Sequence, residues 1–155
     1  MASFDINSFA ARQTVTDNFQ KRGQKGYLFT IGDERLPEQS HPKTLSNVLS
    51  CFEAGEDLSS VSMLAEASKF YNCFHLIIEE GGYFRQHSYA EVSKNPVTIT
   101  WREVMGHRAI LVDDYSYLSD IVSAVIRVNE GADPEDVINE SDKAARASIR
   151  HALFD

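Results

Sequence analysis

The sequence predicts an α/β protein whose sheet has few, mostly parallel strands and forms three layers, with helices on both faces. Three apolar, β-rich runs cover residues 26–32, 73–78 and 107–112, and segments with helical spacing separate them. Strands joined through helices lie parallel because each connection crosses back over the sheet. The chain has 155 residues, of which 43% are hydrophobic, so it can bury a core and we expect one domain over residues 1–155.

The first predicted strand, residues 26–32, is an apolar run bounded by glycines. Continuous apolar runs of this length are typical of strands that are buried on both faces, and we interpret it so. Nothing earlier in the chain has a strand pattern that would pair with it. The run would therefore form an edge of the sheet, and its aromatic residues Tyr27 and Phe29 are candidate interaction residues because an uncovered edge favours pairing with another chain.

Helical spacing and capping residues predict the other elements. Residues 6–22 form a pattern that ends at Gly23, and residues 45–55 form an amphipathic pattern that ends at Gly55. Ser59 or Ser60 caps the next helix, whose apolar residues are Val61, Leu64, Ala65 and Phe70. Three further helices are predicted over residues 98–105, 118–128 and 134–154, and Pro134 fits the first turn of the last one.

A polar stretch over residues 79–96 follows the second strand and predicts a long loop or an insertion, with Gly81-Gly82 at one end and Asn95-Pro96 at the other. It contains Tyr83, Phe84 and Arg85, which are residue types that protein interfaces favour. The loop is therefore a candidate recognition loop. The alternative is a surface loop whose aromatic side chains pack against the domain.

Charge and targeting signals exclude some classes of partner. The formal net charge is -8, and the only short basic cluster, Lys21, Arg22 and Lys25, lies at a predicted helix end where cations complement the helix dipole. Nucleic acid and acidic membrane surfaces are therefore unsuitable partners. Since no apolar run approaches about 18 residues and no cationic leader is present, we expect a cytoplasmic protein. Cys51 and Cys73 lie in apolar patterns, which indicates buried free thiols in a reducing compartment.

Four segments of the chain occur in the same order in a known domain family. They are residues 21–34 (KRGQKGYLFTIGDE), 70–77 (FYNCFHLI), 101–122 and 130–133 (EGAD). In this order they resemble the C-terminal half of a von Willebrand factor A (VWA) domain of the bacterial and phage type: the first is similar to its fourth-strand segment, the second to its fifth strand, and the third to its sixth strand and closing helix. The resemblance extends from about Phe19 to Val137 and implies a partial VWA domain without the first half of the sheet.

A complete VWA domain carries a metal-ion-dependent adhesion site with an Asp-x-Ser-x-Ser loop, and this chain has no counterpart of that loop in the corresponding place. By position, only Asp33 matches a ligand of that site. Asp33-Glu34 and Asp113-Asp114 each follow a predicted parallel strand, so their carboxylates would meet at one edge of the sheet, and Mg²⁺ prefers such oxygen ligands. The alternative is that these acids cap and complement the following helices, and we favour it for all of them except Asp33, with Asp114 as a helix N-cap.

Two functions follow from these observations. The first is a non-catalytic protein–protein interaction module with an incomplete adhesion site. Its partner would be another copy, a chain that completes the sheet or, by the resemblance, an AAA-type ATPase. The second is a small enzyme that uses Asp33, Glu34, Asp113 and Asp114 to bind a divalent metal such as Mg²⁺. No nucleophile elbow, Walker A loop, dinucleotide turn or zinc-ligand spacing is present, so we favour the first.

Overall fold

The computed structural model describes residues 17–37, 59–87 and 91–155. These residues form α1 (Asp17–Arg22), β1 (Gly26–Gly32), α2 (Ser60–Ala67), β2 (Tyr71–Ile78), α3 (Gly82–Gln86), α4 (Pro96–Met105), β3 (Ala109–Val112), α5 (Leu118–Asn129), α6 (Pro134–Glu140) and α7 (Arg146–Phe154). Short 3₁₀ turns cover Val92–Lys94, Gly106–Arg108 and Tyr115–Tyr117. Within this part of the chain, no helix is long and apolar enough to cross a membrane.

The three strands form one parallel sheet in the order β1-β2-β3, which confirms the predicted fold class. β2 and β3 pair in a register that places His75 beside Ala109 and Ile78 beside Val112. Helices lie in the connections between consecutive strands, as parallel pairing requires of a crossover. Because the strands are parallel, their carboxyl ends lie at the same edge of the sheet. The residues that follow the strands therefore belong to that edge.

Contacts divide the chain into two compact units, and the boundary runs through β1 and β2. The first unit contains the described residues up to Thr30 and from Arg35 to Phe74. Its buried side chains include Met63, Leu64 and Ala67 of α2. Phe19 of α1 makes an edge-to-face contact with Phe70, with ring centroids 5.0 Å apart. The predicted single domain over residues 1–155 stays a prediction.

The second unit contains Ile31–Glu34 and His75–Asp155. All four residues of β3 are buried, and α4 and α7 both contact this strand. The amphipathic helices of this unit bury one apolar face each, while Ile99, Val104 and Phe154 stay exposed. The fully buried large side chains of the unit are Leu76, Ile77, Val97, Trp101, Val112, Ile121, Val137, Ile138 and Ile149.

Several helix ends confirm the predicted capping chemistry. Ser59 caps α2, since its Oγ accepts a hydrogen bond of 3.1 Å from the Ser62 amide. Asp133 caps α6 through the amides of Glu135 and Asp136, and Pro134 occupies the first turn. α4 begins two residues before the predicted start and ends at Gly106, whose φ of 57° suits a residue without a side chain. α5 ends one residue beyond the predicted helix.

Burial in β1 and α2 differs from the expectation. β1 is not buried on both faces: Thr30 alone among its seven residues is buried, and Ile31 is 50% exposed. The run is continuous and apolar, but β1 stands at one end of the strand order, where side chains have fewer neighbours. In α2, Val61 and Ala65 are exposed, and the buried face consists of Ser60, Met63, Leu64 and Ala67.

Three other predictions about regular structure need correction. The stretch over residues 79–96 is not simply a loop, since it contains α3 and the turn Val92–Lys94. His107 and Arg108 belong to a 3₁₀ turn, and β3 begins at Ala109. The predicted helix over residues 134–154 is two helices. It breaks at Ser141, whose backbone is extended and whose Oγ donates to the Val137 carbonyl at 2.7 Å.

Other predictions fall on residues that lie outside the described part. These are the helix over residues 45–55, Cys51 within it, and the predicted helix before Asp17. Cys73 is described: its thiol is buried, as predicted, and is not part of a disulfide.

Candidate functional site

Asp33, the residue predicted as a metal ligand after β1, caps α3. Its Oδ2 accepts a hydrogen bond of 2.8 Å from the Tyr83 amide. The first helical residues have no acceptor within the helix, so a carboxylate there satisfies a backbone donor and complements the helix dipole. Gly81 permits this approach, because a Cβ at position 81 would lie only 2.2 Å from the Asp33 Cβ. Two predicted features, Asp33 and the segment around Tyr83, are therefore brought together as a structural contact.

The candidate recognition residues Tyr83, Phe84 and Arg85 have three different environments. Phe84 is 4% exposed, which accords with the alternative that the aromatic side chains of this segment pack against the domain, and its role as an interaction residue stays a prediction. Tyr83 is half-buried and stacks on His87, with ring centroids 4.4 Å apart. Arg85 is exposed and its guanidinium lies 3.8 Å from a Glu80 carboxylate oxygen.

Buried Asn95 holds this segment in place. Its Nδ2 donates to the carbonyl oxygens of Phe84 and His87, at 3.1 and 3.3 Å, and its Oδ1 accepts from the Val97 amide at 2.9 Å. One amide side chain thus connects the end of α3 to the beginning of α4. The sequence identified Asn95-Pro96 only as the end of a loop, because the partners of a buried amide cannot be inferred from local sequence.

Glu79, His151 and Asp155 form an ion-pair cluster that sequence reasoning missed. His151 Nε2 lies 2.5 Å from a Glu79 oxygen, and its Nδ1 lies 2.7 Å from an Asp155 oxygen. The hydrogen bond to Glu79 is the main cause that raises the pKa of His151 to about 9, and Asp155 and the nearby Asp113 act in the same direction. Glu79 and His151 are 72 residues apart in sequence, so no spacing signal points to them.

The environment of His151 is unsuited to acid–base catalysis near neutral pH. With a pKa of about 9 the imidazole is protonated at pH 7, and both ring nitrogens face carboxylates. A general base needs a free ring nitrogen and a pKa near the working pH. The cluster instead joins the end of β2 to α7. The side chains of His151 and Glu79 are 23% and 16% exposed, so solvent screens this pair only in part.

The other predicted metal ligands also have structural positions. Asp114 caps the turn Tyr115–Tyr117, as predicted, and its Oδ1 accepts from the Ser116 amide at 2.8 Å. Asp113 and Glu34 are exposed, and the Glu34 carbonyl accepts from the Trp101 indole N–H at 2.8 Å. The described residues contain no group of three or more His, Cys, Asp or Glu side chains positioned to hold a metal ion. The predicted ligands are therefore not gathered into a metal site.

His75 of β2 has an environment opposite to that of His151. It is 2% exposed and its ring stacks on Trp101 of α4, with centroids 3.5 Å apart. Burial lowers the pKa of His75 to about 3, so the ring is neutral at pH 7. It is a core side chain.

The candidate interaction residues of β1 form an aromatic row. Tyr27 and Phe29 stack on each other and on Phe74 of β2, with centroid separations of 6.3 Å for Tyr27–Phe29, 5.2 Å for Phe29–Phe74 and 6.3 Å for Tyr27–Phe74. Tyr27 and Phe29 are half-buried, whereas Phe74 is buried. Ile31 follows at the next alternate position and is half exposed. β1 thus presents aromatic and β-branched side chains that remain partly accessible.

Comparisons with known proteins give no relative for this chain: no family model, curated protein or solved structure matches it. The resemblance to a VWA domain therefore stays a prediction that is based on the segments described above.

Proposed function

We propose that the protein is a non-catalytic protein–protein interaction module that binds an extended segment of another chain at β1. The observation that carries this proposal is the contrast in burial within one sheet. β3 is buried throughout, but only one of the seven residues of β1 is buried. Among the described residues, β1 has a strand neighbour on one side only, because it is the first strand in the order β1-β2-β3.

An end strand of this kind favours strand addition. Its backbone N–H and C=O groups on the outer side pair with an incoming strand, and side chains at alternate positions give specificity. Tyr27, Phe29 and Ile31 occupy such alternate positions and expose apolar surface. Aromatic residues are enriched in the buried centres of interfaces, so this row suits the centre of a contact.

The chemistry of the strand ends supports binding over catalysis. Asp33 and Asp114 accept backbone N–H groups, and His151 is held between two carboxylates. These groups stabilise the local structure. We expect the module to act in the cytoplasm, and Tyr83 and Arg85 would extend the contact beyond β1. A chain that completes the sheet, another copy or, by the resemblance to a VWA domain, an AAA-type ATPase would be the partner.

Two isoleucines provide a matched test of this proposal. Ile31 of β1 is 50% exposed and Ile99 of α4 is 42% exposed, so replacing either with lysine removes similar apolar surface. Tagged wild-type, Ile31→Lys and Ile99→Lys chains would be used to capture untagged copies and host proteins, and thermal melting would verify that each variant folds. We expect Ile31→Lys to lose a bound chain that Ile99→Lys retains. The proposal is wrong if both variants capture the same chains as the wild type.

A further inference from the structure

We propose that a second copy of this chain binds at β1, and that the two β1 strands pair antiparallel with Phe29 opposite Phe29. This inference rests on the proposed function, and it specifies the partner and the register. The dimer would join two three-stranded sheets into one continuous sheet. The argument depends on the order of charges and side chains along β1.

Charges of opposite sign stand at the two ends of β1. The basic residues Lys21, Arg22 and Lys25 precede the strand, and Asp33 and Glu34 follow it. Lys25 and Glu34 are exposed, and Asp33 is half-buried. Antiparallel pairing of two copies places the basic end of each strand beside the acidic end of the other. Parallel pairing of two copies would place like charges together, which is unfavourable at short range.

The symmetry of an antiparallel dimer restricts the register. In an antiparallel pair, residues directly opposite each other project their side chains to the same face of the sheet. A twofold axis perpendicular to the sheet therefore passes between one residue and its own copy. Centring on Phe29 sets Lys25 opposite Asp33. Centring on Leu28 sets Lys25 opposite Ile31, and centring on Thr30 sets it opposite Arg35. Only the Phe29 register, among these three, pairs Lys25 with an acid.

The same register gives favourable side-chain pairs. Phe29 meets its own copy, and Tyr27 meets Ile31 of the second copy, so the partly exposed row of each strand covers that of the other. Aromatic–aromatic and aromatic–β-branched pairs directly across antiparallel strands are stabilising. The end residues Gly26 and Gly32 also face each other, which leaves room for the charged residues just beyond them.

Existing contacts of the charged residues are compatible with this pairing. Lys25 Nζ donates to the Ser68 carbonyl at 2.6 Å, and an ammonium group has three donors. Asp33 uses Oδ2 for the Tyr83 amide, and a carboxylate has acceptor positions on both oxygens.

The test measures dimerisation by sedimentation and light scattering across a dilution series. We expect a wild-type dimer, and Lys25→Glu should raise its dissociation constant about tenfold because each dimer then contains two repulsive contacts. Lys143→Glu is the matched control. Lys143 is also exposed and the net charge changes equally, but the residue lies in the turn between α6 and α7. We expect it to change the dissociation constant less than about twofold.

A charge exchange tests the register. Asp33→Lys alone should also weaken self-association, and mixing Lys25→Glu with Asp33→Lys chains should form a heterodimer within about threefold of the wild-type dissociation constant. Thermal melting would show that both variants fold. A wild-type monomer, equal effects of Lys25→Glu and Lys143→Glu, or no heterodimer in the mixture would overturn this inference. The proposed function would fail separately, if no chain of any kind were captured in a manner that depends on Ile31.

Discussion

β1 and β3 belong to one sheet but differ in how the chain covers them. β3 has four residues, all buried, and α4 and α7 pack on it. β1 is longer and contains Tyr27, Leu28, Phe29 and Ile31, yet Thr30 is its single buried residue. Apolar sequence therefore identifies a strand, but the neighbours that the fold provides determine whether the strand contributes to the core or remains accessible. We infer that β3 mainly stabilises the fold and that β1 mainly binds.

The largest expected difference comes from truncating an isoleucine in each strand. Ile110 of β3 is 5% exposed and Ile31 of β1 is 50% exposed. Ile110→Ala should lower the free energy of unfolding by about 2–4 kcal/mol, because it removes buried methyl groups and leaves a cavity. Ile31→Ala should cost less than about 1 kcal/mol. Urea denaturation measures both values, and equal costs would contradict the division between the two strands.

Acid should lower the free energy of unfolding through buried His75 of β2. The unfolded pKa is near 6.5 and burial lowers the folded pKa to about 3, so the stability that His75 confers is present above pH 6.5 and declines as the pH falls toward 3. Between pH 6.5 and 5 the loss should be about 2 kcal/mol. His75→Phe, which keeps a ring beside Trp101, should remove most of this slope in urea denaturation. His107→Gln, at an exposed histidine, should retain it, and equal slopes in both variants would refute the assignment.

Alkaline pH should destabilise the protein through His151, whereas acid destabilises it through His75. Its folded pKa, about 9, is above the unfolded value, so the stability from the Glu79–His151–Asp155 cluster is present below pH 6.5 and is lost as the pH rises through 9. We expect a loss of about 1–3 kcal/mol, allowing for solvent screening at this partly exposed site. His151→Gln should flatten the profile between pH 6.5 and 9. A wild-type profile that is already flat there would disprove the role of the cluster.

The smallest expected effect is that of Ile31→Lys on stability. Because half of the Ile31 side chain is already exposed, the change should lower the free energy of unfolding by less than about 1 kcal/mol while it weakens binding at β1. Urea denaturation of the variant beside Ile99→Lys measures this. A loss of several kcal/mol would show that Ile31 is a stabilising core residue and would weaken the contrast between the strands.

Most of the regular structure followed from local signals. Apolar runs located all three strands, and capping residues such as Ser59 and Asp133 located helix starts, because the donors of a first helical turn need nearby acceptors. The helix predicted over residues 134–154 failed at Ser141. Its apolar spacing continues across the break, but the Ser141 hydroxyl and the Asp142 carboxylate bond to nearby backbone groups and end the helix.

The chemistry of the strand ends was less predictable. The sequence identified Asp33 and Asp114 as candidates because each follows a predicted parallel strand. It could not show which backbone N–H each carboxylate accepts. The partners of His151 and Asn95 are distant in sequence or depend on packing, so local patterns contain no signal for them. The burial of Phe84 was not predictable for the same reason, since it depends on how α3 packs.

Hydrogen exchange at β1 tests the central claim most directly. Backbone amides of β1 and β3 would be compared with and without the bound chain, whether that chain is a second copy at high protein concentration or a captured partner. Amides on the outer side of an edge strand exchange readily until another strand pairs with them. The account predicts that binding slows exchange within Gly26–Gly32 and leaves Ala109–Val112 unchanged. Unchanged exchange in β1 when the other chain is bound would contradict it.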